Sequence, residues 1–151
     1  MRLLEEIRHE LNIDRLHAAA IERGDDFLYI CYDNEGYGNT GQQFSGATPH
    51  AARTATSKGP HGFAGYKKDL FSIWAAHRPA YVATVIGAEP LDLARKIEKA
   101  KQLDGPRLII ALAPCPTGWD YDPRESIDVG KLAVKTSVWP LKEYIDGKVV
   151  N

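Results

Sequence analysis

The sequence predicts an α/β fold with a mainly parallel sheet flanked by helices. Three observations carry this: short apolar runs at Phe27–Cys31, Tyr81–Ile86 and Leu108–Leu112, amphipathic stretches alternating with them, and glycines or prolines at the junctions. Strands that alternate with helices pair in parallel through crossovers, and ligands of such sheets gather beyond the carboxyl ends of the strands.

In chain order, Leu3, Leu4, Ile7, Leu11, Leu16, Ala20 and Ile21 fall at helical spacings between Met1 and about Arg23. Asn12 or Asp14 is a candidate cap between two pieces, and Gly24 ends the helix. Phe27 to Cys31 is aromatic and β-branched and reads as a buried strand. Tyr32 to Pro49 has too little apolar periodicity for a helix and too much glycine for core, so a polar loop is expected there. Ala51 to Tyr66, with Gly59, Pro60, Gly62 and Gly65, is expected to be extended or mobile. Asp69 is placed to cap a helix from Leu70 to His77. Tyr81 to Ile86 is a continuous apolar strand, and Pro90 suits the first turn of a helix running to about Leu103. Within that helix Leu93 and Ile97 share a face, and Asp92 and Lys96 are expected to form an outward charge pair. After Gly105, Leu108 to Leu112 shows no alternation, the pattern of a strand covered on both faces. Ser126 to about Thr136 reads as a helix, and Trp139 to Val150 as an irregular or β-like tail.

The 151 residues are expected to form one domain, 1–151, with 1–19 as an N-terminal helical segment. A hydrophobic content of 44%, a charged content of 26% and a formal charge of −1 supply no basic excess for nucleic acid. No apolar run is long enough to span a membrane, and acids stand near the N-terminus where a secretory signal needs its apolar region, so a cytoplasmic location is expected. Cys31 and Cys115 are far apart with no CxxC, so neither a disulfide framework nor a complete metal site is visible.

Three segments are expected at the carboxyl edge of the sheet: the loop after Asp33, Gly87-Ala88-Glu89, and Pro114 to Trp119. Cys115 is thereby placed on the same rim as Asn34. Gly36-Tyr37-Gly38-Asn39-Thr40-Gly41 spells GxGxxG after a strand, but Gln42 to Pro49 breaks any helix and Pro49 to Lys68 contains no Asp or Glu for a ribose. No Walker-type phosphate loop is present either. From the residues alone the segment is an oxygen-rich polar loop, or a long turn whose glycines serve only backbone geometry.

Ile30 to Tyr37, Asn39-Thr40-Gly41, Ser45 to Pro49, Tyr81 to Thr84 and Leu112 to Trp119, taken in order, resemble the beta subunit of pyruvate:ferredoxin oxidoreductase. The resemblance covers about residue 20 to the end and points to the C-terminal part of that subunit's thiamine diphosphate-binding fold. It implies an enzyme complex that decarboxylates a 2-oxoacid, pyruvate foremost, to an acyl-coenzyme A and passes electrons through iron–sulfur clusters to ferredoxin. By the same resemblance the Asn34 side-chain oxygen and the Gly36 carbonyl match magnesium ligands, and Asn39 and Thr40 match positions near the cofactor. Hard divalent cations take such oxygen ligands. Cys115 resembles the last ligand of the 4Fe-4S cluster nearest the thiamine, whereas Cys31, inside a strand, reads as a small buried thiol.

Members of that family carry an upstream Gly-Asp-Gly whose Asp completes the magnesium site, and further cluster cysteines; neither is found in this sequence. Gly24-Asp25-Asp26 lies too close to Asn34 to serve, and Glu6 lacks flanking glycines. One thiolate cannot hold a four-iron cluster. The chain is therefore expected to need other subunits and to be inactive alone. The competing expectation is an inactive assembly or ligand-binding module of the same fold. The remaining polar residues read blandly: His9 and His17 as solvated helix residues, His77 in a last helical turn, and His50 and His61 as flanks of the loop. Arg53, Lys58, Lys67 and Lys68 read as a solvated basic face, and Trp74, Trp119 and Trp139 as packing anchors.

Overall fold

The computed structural model describes residues 13–150, with side chains from 18 onward. The expected cap at Asn12 and the roles of Glu6, His9 and the His17 side chain lie outside the described residues. The elements are α1 (Ile13–Glu22), β1 (Phe27–Asp33), α2 (Leu70–Ala76), β2 (Tyr81–Ile86), α3 (Pro90–Lys101), β3 (Pro106–Leu112), a short α4 (Pro116–Trp119), α5 (Ser126–Lys135), β4 (Glu143–Ile145) and β5 (Lys148–Val150). No helix among the described residues is long and apolar enough to cross a membrane.

The sheet has the order β1-β3-β2-β4-β5. β1, β3 and β2 are mutually parallel, and β4 and β5 add an antiparallel hairpin where the sequence suggested an irregular or β-like tail. Every residue of β2 is buried, because its alternate side chains enter two separate cores. Val82 and Ile86 join Leu108, Ile110 and Leu112 of β3 on the face covered by Phe71 of α2 and Ala133 of α5. Tyr81, Ala83, Val85 and Ile109 form the other face, under Leu93, Ile97 and Ala100 of α3. α5 comes close because Gly130 has no side chain: a Cβ there would lie 2.6 Å from that of Ala88.

Local signals explain the element ends. The Asp69 carboxylate accepts from Ser72 N at 3.0 Å and caps α2, while His77 closes it. Pro90 opens α3, in the first turn where its missing N–H costs nothing. β1 departs from the buried strand expected at Phe27–Cys31. It extends to Asp33, lies at the end of the strand order, and leaves Leu28, Ile30 and Tyr32 exposed on one face. α3 covers only the neighbouring strands. The segment from Ala51 to Tyr66 is irregular but tied down, with Ala51 N donating to Phe63 O at 2.8 Å and Phe63 N to Ala52 O at 2.9 Å.

The expected outward Asp92–Lys96 pair is an inward one. Lys96 is 1% exposed; its Nζ lies 2.7 Å from Asp92 Oδ2 and donates to Thr84 O at 2.9 Å. The β2–β4 ladder covers only Tyr81 to Ala83, so the Thr84 carbonyl lies just beyond it, and the apolar lysine stem lies along the sheet to reach it. Glu143 of β4 fastens the same region, accepting from the Tyr81 hydroxyl at 2.7 Å and pairing with Arg95 and Lys99 of α3. Burial works to raise the Glu143 carboxyl, but the Lys99 and Tyr81 hydrogen bonds and the cationic neighbours outweigh it and hold it below the ordinary carboxylate value.

Three outcomes follow. Lys96→Ala removes the partner of a buried carbonyl and a carboxylate and is expected to destabilise the fold by about 2–3 kcal/mol, read as a shift in the urea midpoint. The exposed Arg95→Ala is expected to cost under about 1 kcal/mol. Because the folded Glu143 value is lowered, its stabilisation is full above the unfolded value and lost as pH falls through the folded one. Melting temperature should thus fall more steeply from about pH 5 to 3 in the native chain than in Glu143→Gln.

Candidate functional site

The three parallel strands end level. Asp33 pairs with Leu112, and Ile86 pairs with the same Leu112 from the other side. The segments after them emerge at one edge, as the sequence indicated, and Ala113 N donates to Asp33 O at 2.8 Å one step past the ladder. Asp26, by contrast, lies at the opposite end of β1, where it accepts from Gly105 N at 3.1 Å and pairs with Arg107 at 2.9 Å.

At the carboxyl edge, Asn34, Gly36, Asn39 and Thr40 line one open cleft of about 260 Å³, together with Tyr37 and Gly38. Asn34 is half-buried and its Oδ1 accepts from Gly36 N at 3.2 Å, an Asx-type turn that bends the chain out of the sheet. Gly38 makes room for it: a Cβ there would lie 2.9 Å from Asn34 Nδ2. Thr40 holds the far side of the turn, bonded to Gln43, whose Nε2 donates to Thr40 O at 2.6 Å. The Tyr37 N donates to Gln43 O at 2.9 Å and closes the base.

Cys115 does not line this cleft. It is half-buried and precedes α4, a turn of helix absent from the sequence-based expectation, with Trp119 N donating to Cys115 O at 2.8 Å. Trp119 links the two segments, its Nε1 donating to Asn34 O at 3.4 Å. Among the described residues no three His, Cys, Asp or Glu side chains cluster as ligands for a metal. His50 is occupied elsewhere, 3.2 Å from Gly65 O and stacked on Tyr66.

Two residues that matter here, Thr48 and Glu35, were given no role from the sequence, and a third, Lys67, was given a different one. Thr48 is 1% exposed and joins two turns, donating to Glu35 O at 2.6 Å and accepting from Ser45 N at 2.9 Å. Glu35 is buried, with its backbone in the left-handed region at φ 63°. Lys67, expected on a solvated face, instead contacts the Glu35 carboxylate and lies 4.8 Å from the Trp139 ring centroid. Burial pushes the Glu35 carboxyl above the ordinary carboxylate value; Lys67 opposes this and the nearby Asp33 reinforces it. The readable signal was the two-residue period of β1, which puts Asp33 on the less exposed side with Phe27, Tyr29 and Cys31.

An Asn oxygen and a backbone carbonyl beside a glycine-lined cleft are donors suited to a small hard cation and its phosphate ligand. Such donors would fill only part of an octahedral shell, and a single thiolate such as that of Cys115 would fill one of the four places of a cubane cluster.

The chain matches known proteins over most of its length. Residues 12–111 match the family described as thiamine pyrophosphate enzyme, C-terminal TPP binding domain. The pyruvate synthase subunit PorB of Methanocaldococcus jannaschii is 47% identical over 134 residues, covering 87% of this chain and 45% of its own length. The ketoisovalerate oxidoreductase subunit VorB of Pyrococcus horikoshii is 46% identical over 131 residues, covering 85% of this chain and 42% of its own. The chain thus spans less than half the length of these curated relatives. A solved 2-oxoglutarate:ferredoxin oxidoreductase from Magnetococcus marinus superposes with a TM-score of 0.63 at 21% identity, covering 76% of this chain and 38% of that one, which is a likeness of fold.

Thr48→Val keeps the shape and leaves the Glu35 carbonyl and Ser45 N–H without their partner. It is expected to lower stability by about 1–3 kcal/mol and to speed amide exchange over 35–48, measured by mass spectrometry; unchanged exchange would show that Thr48 does not organise the loop.

Proposed function

This chain belongs to the thiamine pyrophosphate enzymes through their C-terminal cofactor-binding domain, and from that premise we propose that it serves as part of the beta subunit of a 2-oxoacid:ferredoxin oxidoreductase. The observation that carries the reading is the convergence of Asn34, Gly36, Asn39 and Thr40 on one cleft at the carboxyl edge of the parallel strands. Relatives named for pyruvate and for ketoisovalerate are almost equally similar, so the preference for pyruvate rests on the Pro114–Trp119 segment.

In this reading Asn34 Oδ1 and the Gly36 carbonyl would hold the magnesium of the diphosphate, and Asn39 and Thr40 would border the cofactor. Gly38 fits this role, since any side chain there would displace the Asn34 amide. When bound, the cofactor supplies the electron sink for decarboxylation of the 2-oxoacid. Protein groups orient and polarise: Trp119 fixes the Asn34 carbonyl and, through α4, keeps Cys115 on the neighbouring segment. The Cys115 thiolate would contribute one ligand to a 4Fe-4S cluster; the other cysteines and the remaining magnesium ligand are absent from this sequence and would come from elsewhere in the assembly. The complex then delivers an acyl group to coenzyme A and electrons to ferredoxin, in the cytoplasm, and this chain alone is inactive.

The test is calorimetric titration of thiamine diphosphate with Mg²⁺ into the assembly purified through this chain, and into its Asn34→Ala variant. Binding that Asn34→Ala weakens by at least about tenfold is expected. Absence of binding, or equal binding by the variant, would instead leave an assembly module of the same fold.

A further inference from the structure

Asn34 is flanked by two buried carboxylates that share one ammonium. The side chains of Asp33 and Glu35 are 6% and 5% exposed. Lys67 Nζ contacts Glu35 Oε1, lies 3.7 Å from Asp33 Oδ2, and is roofed by the Trp139 ring. Asp33 Oδ2 is buried and has no hydrogen bond, so Lys67 is its charge partner among the described residues. The backbone between is held just as closely. Glu35 N donates to Asp33 Oδ1 at 2.8 Å, and Glu35 O accepts from the buried Thr48 hydroxyl. A glutamate at φ 63° persists only where its surroundings hold it there.

Successive side chains of an extended segment point to opposite sides. In β1 this holds up to Asp33; beyond it the left-handed turn at Glu35 sets the path, and Asn34 and Gly36 both line the open cleft while Asp33 and Glu35 stay buried. We propose that Lys67 is a positioning residue for the metal half-site: by pairing with both carboxylates it fixes residues 33–36 in the conformation that presents Asn34 Oδ1 and Gly36 O. This role rests on the reading of the loop given above, and it reaches the metal through Glu35 and Asp33, with no contact to cofactor or substrate.

Simple electrostatics predicts the opposite sign. An ammonium near a cation site repels the cation, so removing Lys67 would tighten metal binding if charge alone mattered. If Lys67 acts by position, removing it weakens binding. The two accounts are separated by direction.

The experiment titrates Mn²⁺ in the presence of thiamine diphosphate, followed by electron paramagnetic resonance, on the assembly purified through this chain. Wild type, Asn34→Ala, Lys67→Met, Glu35→Gln and the double variant Glu35→Gln/Lys67→Met are compared, and amide exchange over 33–40 is measured without metal. Lys67→Met is expected to weaken Mn²⁺ binding by about tenfold or more, as loss of groups that orient metal ligands does. The double variant is expected to lose no more than the single one, because the pair acts as a unit. Amides of 33–38 are expected to exchange faster in both. If Lys67→Met leaves the carboxylates uncompensated and does not fold, the double variant takes its place in the comparison. Wild-type binding that Asn34→Ala loses but Lys67→Met or the double variant keeps or tightens overturns the positioning role alone. A wild-type assembly that takes up no Mn²⁺, or an Asn34→Ala variant that binds as wild type, overturns the half-site and the positioning role together.

Discussion

The arrangement depends on the common register of three parallel strands. Because β1, β3 and β2 reach Asp33, Leu112 and Ile86 at the same level, the chain leaves the sheet three times along one edge. That register is fixed by burial. A shift of β3 by one residue would exchange Ile109 for Leu108 or Ile110 and turn each core's side chains into the other's space. β1 is pinned at its start as well, where Arg107 reaches Asp26 and the Phe27 carbonyl across the strand pair. Whatever binds at the carboxyl edge is therefore positioned by packing well removed from it.

The loop that carries the site has almost no regular secondary structure, yet it is well bonded. Its backbone groups are met by side chains: Ser45, Thr48, Thr54 and Ser57 each bond main-chain atoms within the segment. Phe44 and Phe63 stack with centroids 4.8 Å apart and close the segment on itself. Short hydroxyl side chains do here what strand neighbours do elsewhere, which is why a stretch rich in Gly, Ser, Thr and Asn is shaped without being a helix or a strand. A ligand site built this way is organised before the ligand arrives.

How much was legible in the sequence follows from which forces are local. β2, β3, the Asp69 cap and the Pro90 start were readable because apolar runs and capping residues act through near neighbours. The shared rim of the Asn34 loop and Pro114–Trp119 was readable because topology, once strands alternate with helices, leaves few choices. Lys96 and Lys67 were misplaced for one reason: a lysine is buried only when a distant acceptor waits for it. Thr84 O lies on another element from Lys96, and Glu35 is far from Lys67 in the chain. The exposed face of β1 was missed because Leu28 and Ile30 look like core in isolation, and only the strand order shows that α3 does not reach them. The site residues Asn34, Gly36, Asn39 and Thr40 came from family resemblance; the residues alone offered an oxygen-rich loop.

On the proposed function, Asn34 and Gly36 bind the metal of a diphosphate cofactor. Anomalous scattering from Mn²⁺ in crystals of the assembly grown with thiamine diphosphate tests it directly. A peak within coordination distance, about 2 Å, of both Asn34 Oδ1 and Gly36 O is expected, as oxygen ligands hold a small divalent cation. A peak that touches neither atom, with the cofactor bound, would contradict it.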